Sequence, residues 1–182
     1  MSFLCVAALS CSDGAGSTEV AKTAYLGLDA SIDRAITLGF QGFNNALGAN
    51  IAPQTASGDA AGTMTITGQV DQGTSTNSKT MRLQEALVAY SDDGTVTYAT
   101  AMVLPELDMD LKNVPTGTLT GTLTGDYEMT GALSGTVSLA ITFSSQLEPG
   151  ATPNQVTRIP GTTRVVGTAA TGGGTYSIDI TR

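Results

Sequence analysis

Residues 118–143 read TLTGTLTGDYEMTGALSGTVSLAITF, and their alternation decides the fold class. Leu119, Leu123, Tyr127 and Met129 share one face with Gly121 and Gly125 between them, while Thr118, Thr120, Thr122 and Thr124 line the other. After Gly131 the same alternation resumes with Leu133, Val137, Leu139, Ile141 and Phe143 inward. A period of two sustained over this length belongs to strands with one buried face, and the glycine-containing break between the runs predicts a hairpin.

Working outward from this hairpin, the alternation recurs on both sides. Toward the C-terminus, Leu147–Thr157 (LEPGATPNQVT) reads as a Pro-containing loop and Arg164–Ala169 as a strand. A Gly172-Gly173-Gly174 turn follows, and then Tyr176, Ile178 and Ile180 alternate with Ser177, Asp179 and Thr181. Toward the N-terminus, Leu107, Met109 and Leu111 alternate with Glu106, Asp108 and Asp110 between Pro105 and Pro115. Proline and charge together predict a protected edge or a bulge there. A strand over about Met81–Tyr90 turns at Ser91-Asp92-Asp93-Gly94, where Asp-Gly is a hairpin signal, and returns through Val96, Tyr98, Met102 and Leu104. Met64, Ile66 and Val70 alternate with Thr63, Thr65, Thr67 and Gln69, whereas Asp71–Lys79 and Ala49–Gly58, with Pro53, read as loops. About seven or eight strands joined by short connections predict an antiparallel meander, as a sandwich, a barrel or a half-barrel.

Before the strands the period changes to that of a helix. From Tyr25, the apolar residues Leu28, Ile32, Ile36, Phe40, Phe43 and Leu47 recur at steps of three or four, with Lys22, Asp29, Asp33 and Arg34 mostly between them. Ser17 and Thr18 are candidate N-caps, Glu19 suits the first turn, and Gly48 is the expected stop. Gly27, Gly39 and Gly42 lower helix propensity by up to about 1 kcal/mol each, so the helix needs packing to persist, and glycine permits close approach to a sheet. The expected fold is therefore mainly β, α+β, with one N-terminal amphipathic helix packed on the meander.

Composition limits the chemistry. The 182 residues suffice for one buried core. Eight Lys and Arg against 16 Asp and Glu give a net charge of −8, which argues against a nucleic-acid partner. The absence of His removes His-dependent nucleophile pairs, general bases and metal ligands. Trp is absent and aromatic residues are 5%, leaving little stacking surface for sugars or single strands. Cysteine occurs only at Cys5 and Cys11, so neither a disulfide framework nor a CxxC site is available to residues 18–182.

Residues 2–10, SFLCVAALS, form an uncharged apolar run too short to span a bilayer and close to a signal-peptide core in length. The following Ala8-Leu9-Ser10-Cys11 resembles the lipobox of bacterial lipoproteins, although Ala8 stands where Leu is most usual and no Lys or Arg precedes the run. The resemblance implies that Cys11 is lipidated and becomes the mature N-terminus. Alkyl chains buried at about 0.8 kcal/mol per CH₂ would then anchor the protein to a membrane. An ordinary cleaved signal peptide, or a buried N-terminal strand with inert thiols, are the alternative readings. Ser12 after the cysteine is similar to the enterobacterial pattern for outer-membrane sorting. The organisation expected is an export signal with lipobox at 1–11, a flexible tether at 12–17 (SDGAGS) and a single helix-plus-β domain at 18–182. An outer-membrane barrel is not expected, because the face opposite the core is Thr and Ser rather than apolar.

Three constellations offer chemistry, each beside a plainer reading. Glu106, Asp108 and Asp110, with Asp92 and Asp93, present hard oxygens suited to Ca²⁺, but an i, i+2, i+4 acidic row without an EF-hand loop reads first as a solvated strand face. Paired carboxylates suit glycoside hydrolysis, yet an aromatic-poor domain gives sugars little platform. The threonine rows present ordered hydroxyls, and Thr is also simply a favoured strand former. No catalytic, metal or cofactor residue is expected from these. The expectation is a non-enzymatic envelope lipoprotein acting as a structural or interaction module with a protein partner. Alternatives are a carrier of an apolar small molecule in a helix-covered curved sheet and, less favoured, a carboxylate-based hydrolase.

Overall fold

The computed structural model describes residues 14–71 and 77–182. One helix, α1 (Gly14–Asn45), precedes ten strands: β1 (Asn50–Ser57), β2 (Ala61–Asp71), β3 (Ser78–Ser91), β4 (Val96–Ala99), β5 (Glu106–Lys112), β6 (Thr118–Gly131), β7 (Gly135–Pro149), β8 (Val156–Arg158), β9 (Arg164–Thr171) and β10 (Gly174–Thr181). All pairings are antiparallel, and the main path runs β1-β2-β3-β4-β6-β7-β9-β10, with β5 between β3 and β6 and β8 on β7. The fold is mainly β with the helix packed against the sheet, as the two periods in the sequence require.

The helix touches both ends of this path, β1 and β2 at one end and β10 and β9 at the other. Eight neighbouring strands laid flat span about 34 Å at roughly 4.8 Å each, whereas a helix with its side chains is about 10–12 Å across. One helix meets both ends only because the sheet is strongly curled. The end strands do not pair with each other, so the architecture is a half-barrel with α1 along its open side. Inside lie Leu28, Ile32, Ala35 and Ile36 of α1, each at most 1% exposed, and the inward rows Met64–Ile66, Met81–Leu83, Leu107–Met109–Leu111 and Val137–Leu139–Ile141–Phe143.

The helix glycines set how closely the two layers meet. A Cβ on Gly27 would lie 2.2 Å from the Tyr98 hydroxyl, one on Gly39 2.8 Å from the Met109 sulfur, and one on Gly42 2.3 Å from the Ile51 side chain. Tyr98 uses this proximity to donate to the carbonyl of Ala24 at 2.9 Å. Further along, the Asn44 amide donates to the Val156 carbonyl at 2.9 Å and accepts from its N–H at 3.0 Å, which staples α1 to β8.

Several local expectations are corrected. The helix already includes Gly14–Ser17, so Ser17 and Thr18 lie within it and are not its caps, and at least the last four residues of the expected tether are helical. It ends at Asn45, before Leu47, which is fully exposed and outside the apolar stripe. The expected loop around Pro53 is strand β1. It is an edge strand whose register shifts between Ile51 and Gln54, and a proline without an N–H is accommodated at such a bulge. Conversely, the expected edge at residues 106–111 is interior, because Pro105 and Pro115 flank β5 and leave every ladder N–H in place. Strand β4 stops at Ala99 and Met102 is exposed: the Thr100 hydroxyl accepts the Leu87 N–H at 3.1 Å, ending the ladder there. The segment Leu147–Thr157 contributes the end of β7 and the start of β8 as well as a loop.

A bulge between β2 and β3 also changes which residues face inward. Ala61 pairs with Ser91 but Thr63 pairs with Val88, so β3 carries an extra residue, and both Gly62 (φ 71°) and Ala89 (φ 47°) are left-handed. The inward phase therefore shifts from Met81, Leu83 and Leu87 to Tyr90.

Candidate functional site

A cleft of about 790 Å³ lies between α1 and the segment from β8 to β9, lined in part by Asp29, Asp33, Arg34, Phe40, Arg158 and Arg182. The helical spacing puts Asp29 and Asp33 one turn apart on a single shoulder of α1. Arg158 on β8 binds Asp33 Oδ1 at 2.9 Å, and its other nitrogen donates to the Thr37 hydroxyl at 2.9 Å and to the Asp33 carbonyl at 3.3 Å. Arg182 pairs with the Asp29 carboxylate and donates to the Asp29 carbonyl at 2.7 Å. Its backbone N–H and C=O pair with Thr163, holding Arg182 beside the start of β9. Burial raises the Tyr25 hydroxyl pKa, and the facing Arg182 guanidinium opposes that rise.

Arg34 makes a second anchorage. It donates to Asp92 Oδ1 at 2.8 Å, to Asp59 Oδ1 at 2.8 Å, to the Ser57 carbonyl at 3.0 Å and to the Tyr90 hydroxyl. Tyr90 in turn donates to the Asp92 carboxylate at 2.8 Å. Partial burial works against the charge on Arg34, but the bond to Asp92 together with the charges of Tyr90, Asp92 and Asp59 outweighs it, so its pKa rises. Burial first, and then the hydrogen bond to Asp92 and its charge, push the Tyr90 pKa up. Both sets of guanidinium groups are thus occupied by carboxylates and carbonyls. Their chemistry is anchorage of the helix to β1, to β3 and the turns at Asp59 and Asp92, to β8, and to Arg182 just past β10.

The acidic residues singled out from the sequence do not come together. Glu106, Asp108 and Asp110 face outward on β5, and Asp110 accepts from the Thr80 hydroxyl at 2.7 Å. Asp92 is engaged by Arg34. Asp93 caps its turn, accepting from the Thr95 hydroxyl at 2.6 Å and the Thr95 N–H at 2.8 Å, and these bonds lower its pKa. Along β3, Gln84 is opposite Glu106 and Ser91 precedes Asp92, so the two groups are separated by about 23 Å of strand at roughly 3.3 Å per residue. Among the described residues no cluster of three or more acidic or sulfur ligands is positioned to hold a metal. Cys11, the expected lipidation residue, lies outside the described residues.

One buried acid went unnoticed in the sequence. Glu85 on β3 is 0% exposed, and its Oε2 accepts from the Tyr127 hydroxyl at 2.6 Å while its Oε1 has no hydrogen-bond partner. Burial pushes its pKa up to about 7, with the Tyr127 bond pulling the other way. The signal was available: Met81, Leu83 and Leu87 define an inward phase into which Glu85 falls. No sequence signal announced the arginine anchorages, whose partners are 23 to 153 residues apart.

The class defined by this architecture is a helix-filled antiparallel half-barrel with ionic helix anchorages. In comparisons with known proteins, no protein-family model, no curated protein and no solved structure matches the chain. Among the described residues no helix is long and apolar enough to cross a membrane.

Proposed function

We propose that the chain is a non-enzymatic lipoprotein of the bacterial cell envelope, held in the membrane through lipid on Cys11 and presenting a structural or interaction module to a protein partner. The observation that carries the choice of module over carrier is the seating of α1 directly on inward side chains of the sheet. Gly27 against Tyr98, Gly39 against Met109 and Leu83, and Gly42 against Ile51 leave the protein's own atoms where an apolar ligand of a helix-lidded carrier would lie. The carboxylates support a non-enzymatic reading, since the exposed row on β5 is spread along an outer face and Asp29, Asp33, Asp59, Asp92 and Asp93 are engaged by arginine or turn hydrogen bonds. An acidic surface suits anchorage by acyl chains, because net negative charge gives no attraction to anionic headgroups.

The full chain expressed in a diderm bacterium tests both parts. Intact mass of the membrane fraction is expected to show a species beginning at Cys11 with acyl additions, and Cys11→Ser is expected to abolish them; a mature species lacking lipid would sink the anchor. Native mass spectrometry of the released protein is expected to give the protein mass alone. A stoichiometric apolar adduct in repeated preparations would instead establish the carrier reading.

A further inference from the structure

Strands β4 and β5 occupy the same lane of the sheet, between β3 and β6, but they do not meet. On the β3 side the β5 ladder ends at Gln84, opposite Glu106, and β4 contributes Tyr98 opposite Tyr90. On the β6 side β5 ends at Thr124, opposite Glu106, and β4 begins its pairing with Ala99 opposite Glu128. Glu85 and Tyr127 therefore both lie in the interval where the lane has no strand, and their 2.6 Å hydrogen bond joins β3 to β6 across it.

From Thr100 to Pro105 the chain spans this break. The strap is tied at its ends: Thr100 exchanges bonds with Leu87 at 3.1 Å, the Pro105 carbonyl accepts the Glu85 N–H at 3.0 Å, and Pro105 packs on Gly125. Its middle holds little, since Met102 is 99% and Val103 85% exposed. Glu85 thus combines an unpartnered buried carboxyl oxygen with a direct backbone bond to the end of the strap.

Among the described residues none offers the Glu85 carboxylate a counter-ion. Tyr127 of β6 is its hydrogen-bonded neighbour, β2 places Ile66 opposite it, the strap supplies Pro105, and α1 turns Leu28, Ile32, Ala35 and Ile36 into the core, with Tyr25 the titratable residue on that face. On β3 itself, Arg82 is exposed on the outer side and pairs with Asp71. A neutral carboxyl is tolerated in such a place, whereas an ionised one demands water or a cation.

We infer that the buried Glu85 carboxyl, while protonated, is a latch that keeps the strap Thr100–Pro105 closed over the break between β4 and β5, and that its ionisation releases the strap to admit water to the carboxylate. Release is local because the strap buries little apolar surface of its own, whereas the β6–β7 hairpin beside it is paired over twelve residue positions. The consequence is a surface whose apolar strap side chains are differently presented on the acidic and alkaline sides of neutrality. This device does not depend on the lipoprotein reading.

Hydrogen exchange followed by mass spectrometry on the full chain, from about pH 5.5 to about pH 8.5 with the intrinsic pH dependence divided out, tests the latch. Peptides covering residues 99–106 are expected to lose protection by about tenfold or more across neutrality, while β6 and β7 keep theirs. In Glu85→Gln the strap is expected to show one level of protection throughout. In Tyr127→Phe, which deletes the bond that favours the charged acid, the wild-type transition is expected to move to higher pH. Identical strap profiles in wild type and Glu85→Gln would overturn the latch, as would unchanged protection in the wild type or loss of protection in step with β6 and β7. If Glu85→Gln does not fold, the direction of the Tyr127→Phe shift decides: a transition that stays in place or moves to lower pH overturns the proposal.

Discussion

A carboxyl with no exposed surface is the most consequential single residue in this core. Burial raises the Glu85 pKa to about 7 from an ordinary value of 4.5, so between those values the folded chain binds a proton that the unfolded chain has released. Folding stability is then fully present below about pH 4.5 and declines as pH rises through about 7, by roughly 3 kcal/mol in total. Urea denaturation at pH 5 and pH 8 is expected to show that decline in the wild type, and Glu85→Gln is expected to flatten it. A wild-type midpoint equal at both pH values would mean that the carboxylate is solvated or paired without any cost of opening the fold. The arginines differ among themselves in the same physical terms. Arg34→Ala is expected to cost about 2 kcal/mol, because it strips bonds from Asp92, whose side chain is only 12% exposed, and from Tyr90. Arg82→Ala, whose pair with Asp71 is largely solvated, is expected to cost less than about 1 kcal/mol. Thermal denaturation of the two variants side by side checks the contrast.

At the scale of elements, the helix glycines reverse the usual propensity rule. Alanine in place of an interior helix glycine normally gains up to about 1 kcal/mol. Gly27→Ala and Gly42→Ala are instead expected to destabilise by about 1–3 kcal/mol, since each new methyl meets Tyr98 or Ile51 well inside contact distance. Gly48→Ala, beyond the helix and with nothing within 4 Å, is expected to leave the melting temperature within error and serves as the control. Gains at Gly27 and Gly42 comparable to the propensity difference would show that helix and sheet separate easily, which would reopen the carrier reading. The strands carry a related lesson. Alternation placed the faces of β5, β6 and β7 correctly because a half-buried sheet demands it, but it said nothing about lane sharing. Strand β5 resembles an edge by its flanking prolines and charges, and becomes interior because it pairs with β3 on one side and β6 on the other, in a lane it shares with β4.

For the whole molecule, curvature is the property from which the rest follows. Because the sheet curls, one helix of 32 residues reaches both end strands, and the same curl brings β8 and Arg182 beside Asp29 and Asp33. Cys11, by contrast, is a local signal that needs no tertiary context, which is why a short lipobox-like run was legible and remains the basis of the proposed anchorage. The amino-acid order by itself determined the class of fold: a period near 3.6 from Tyr25 to Phe43, then a period of two from Met64 onward, together with an inward phase that already contained Glu85. Those are properties of neighbours in sequence, fixed by how side chains project from a helix or a strand. Only the tertiary structure decided that Pro53 lies in a strand, that Met102 leaves one, that Arg34, Arg158 and Arg182 anchor the helix, and that Glu85 and Tyr127 meet across a gap. Each depends on residues distant in the chain and on a bulge at Gly62 and Ala89 that resets the phase, and pairwise geometry of that kind is set by packing and register rather than by local pattern.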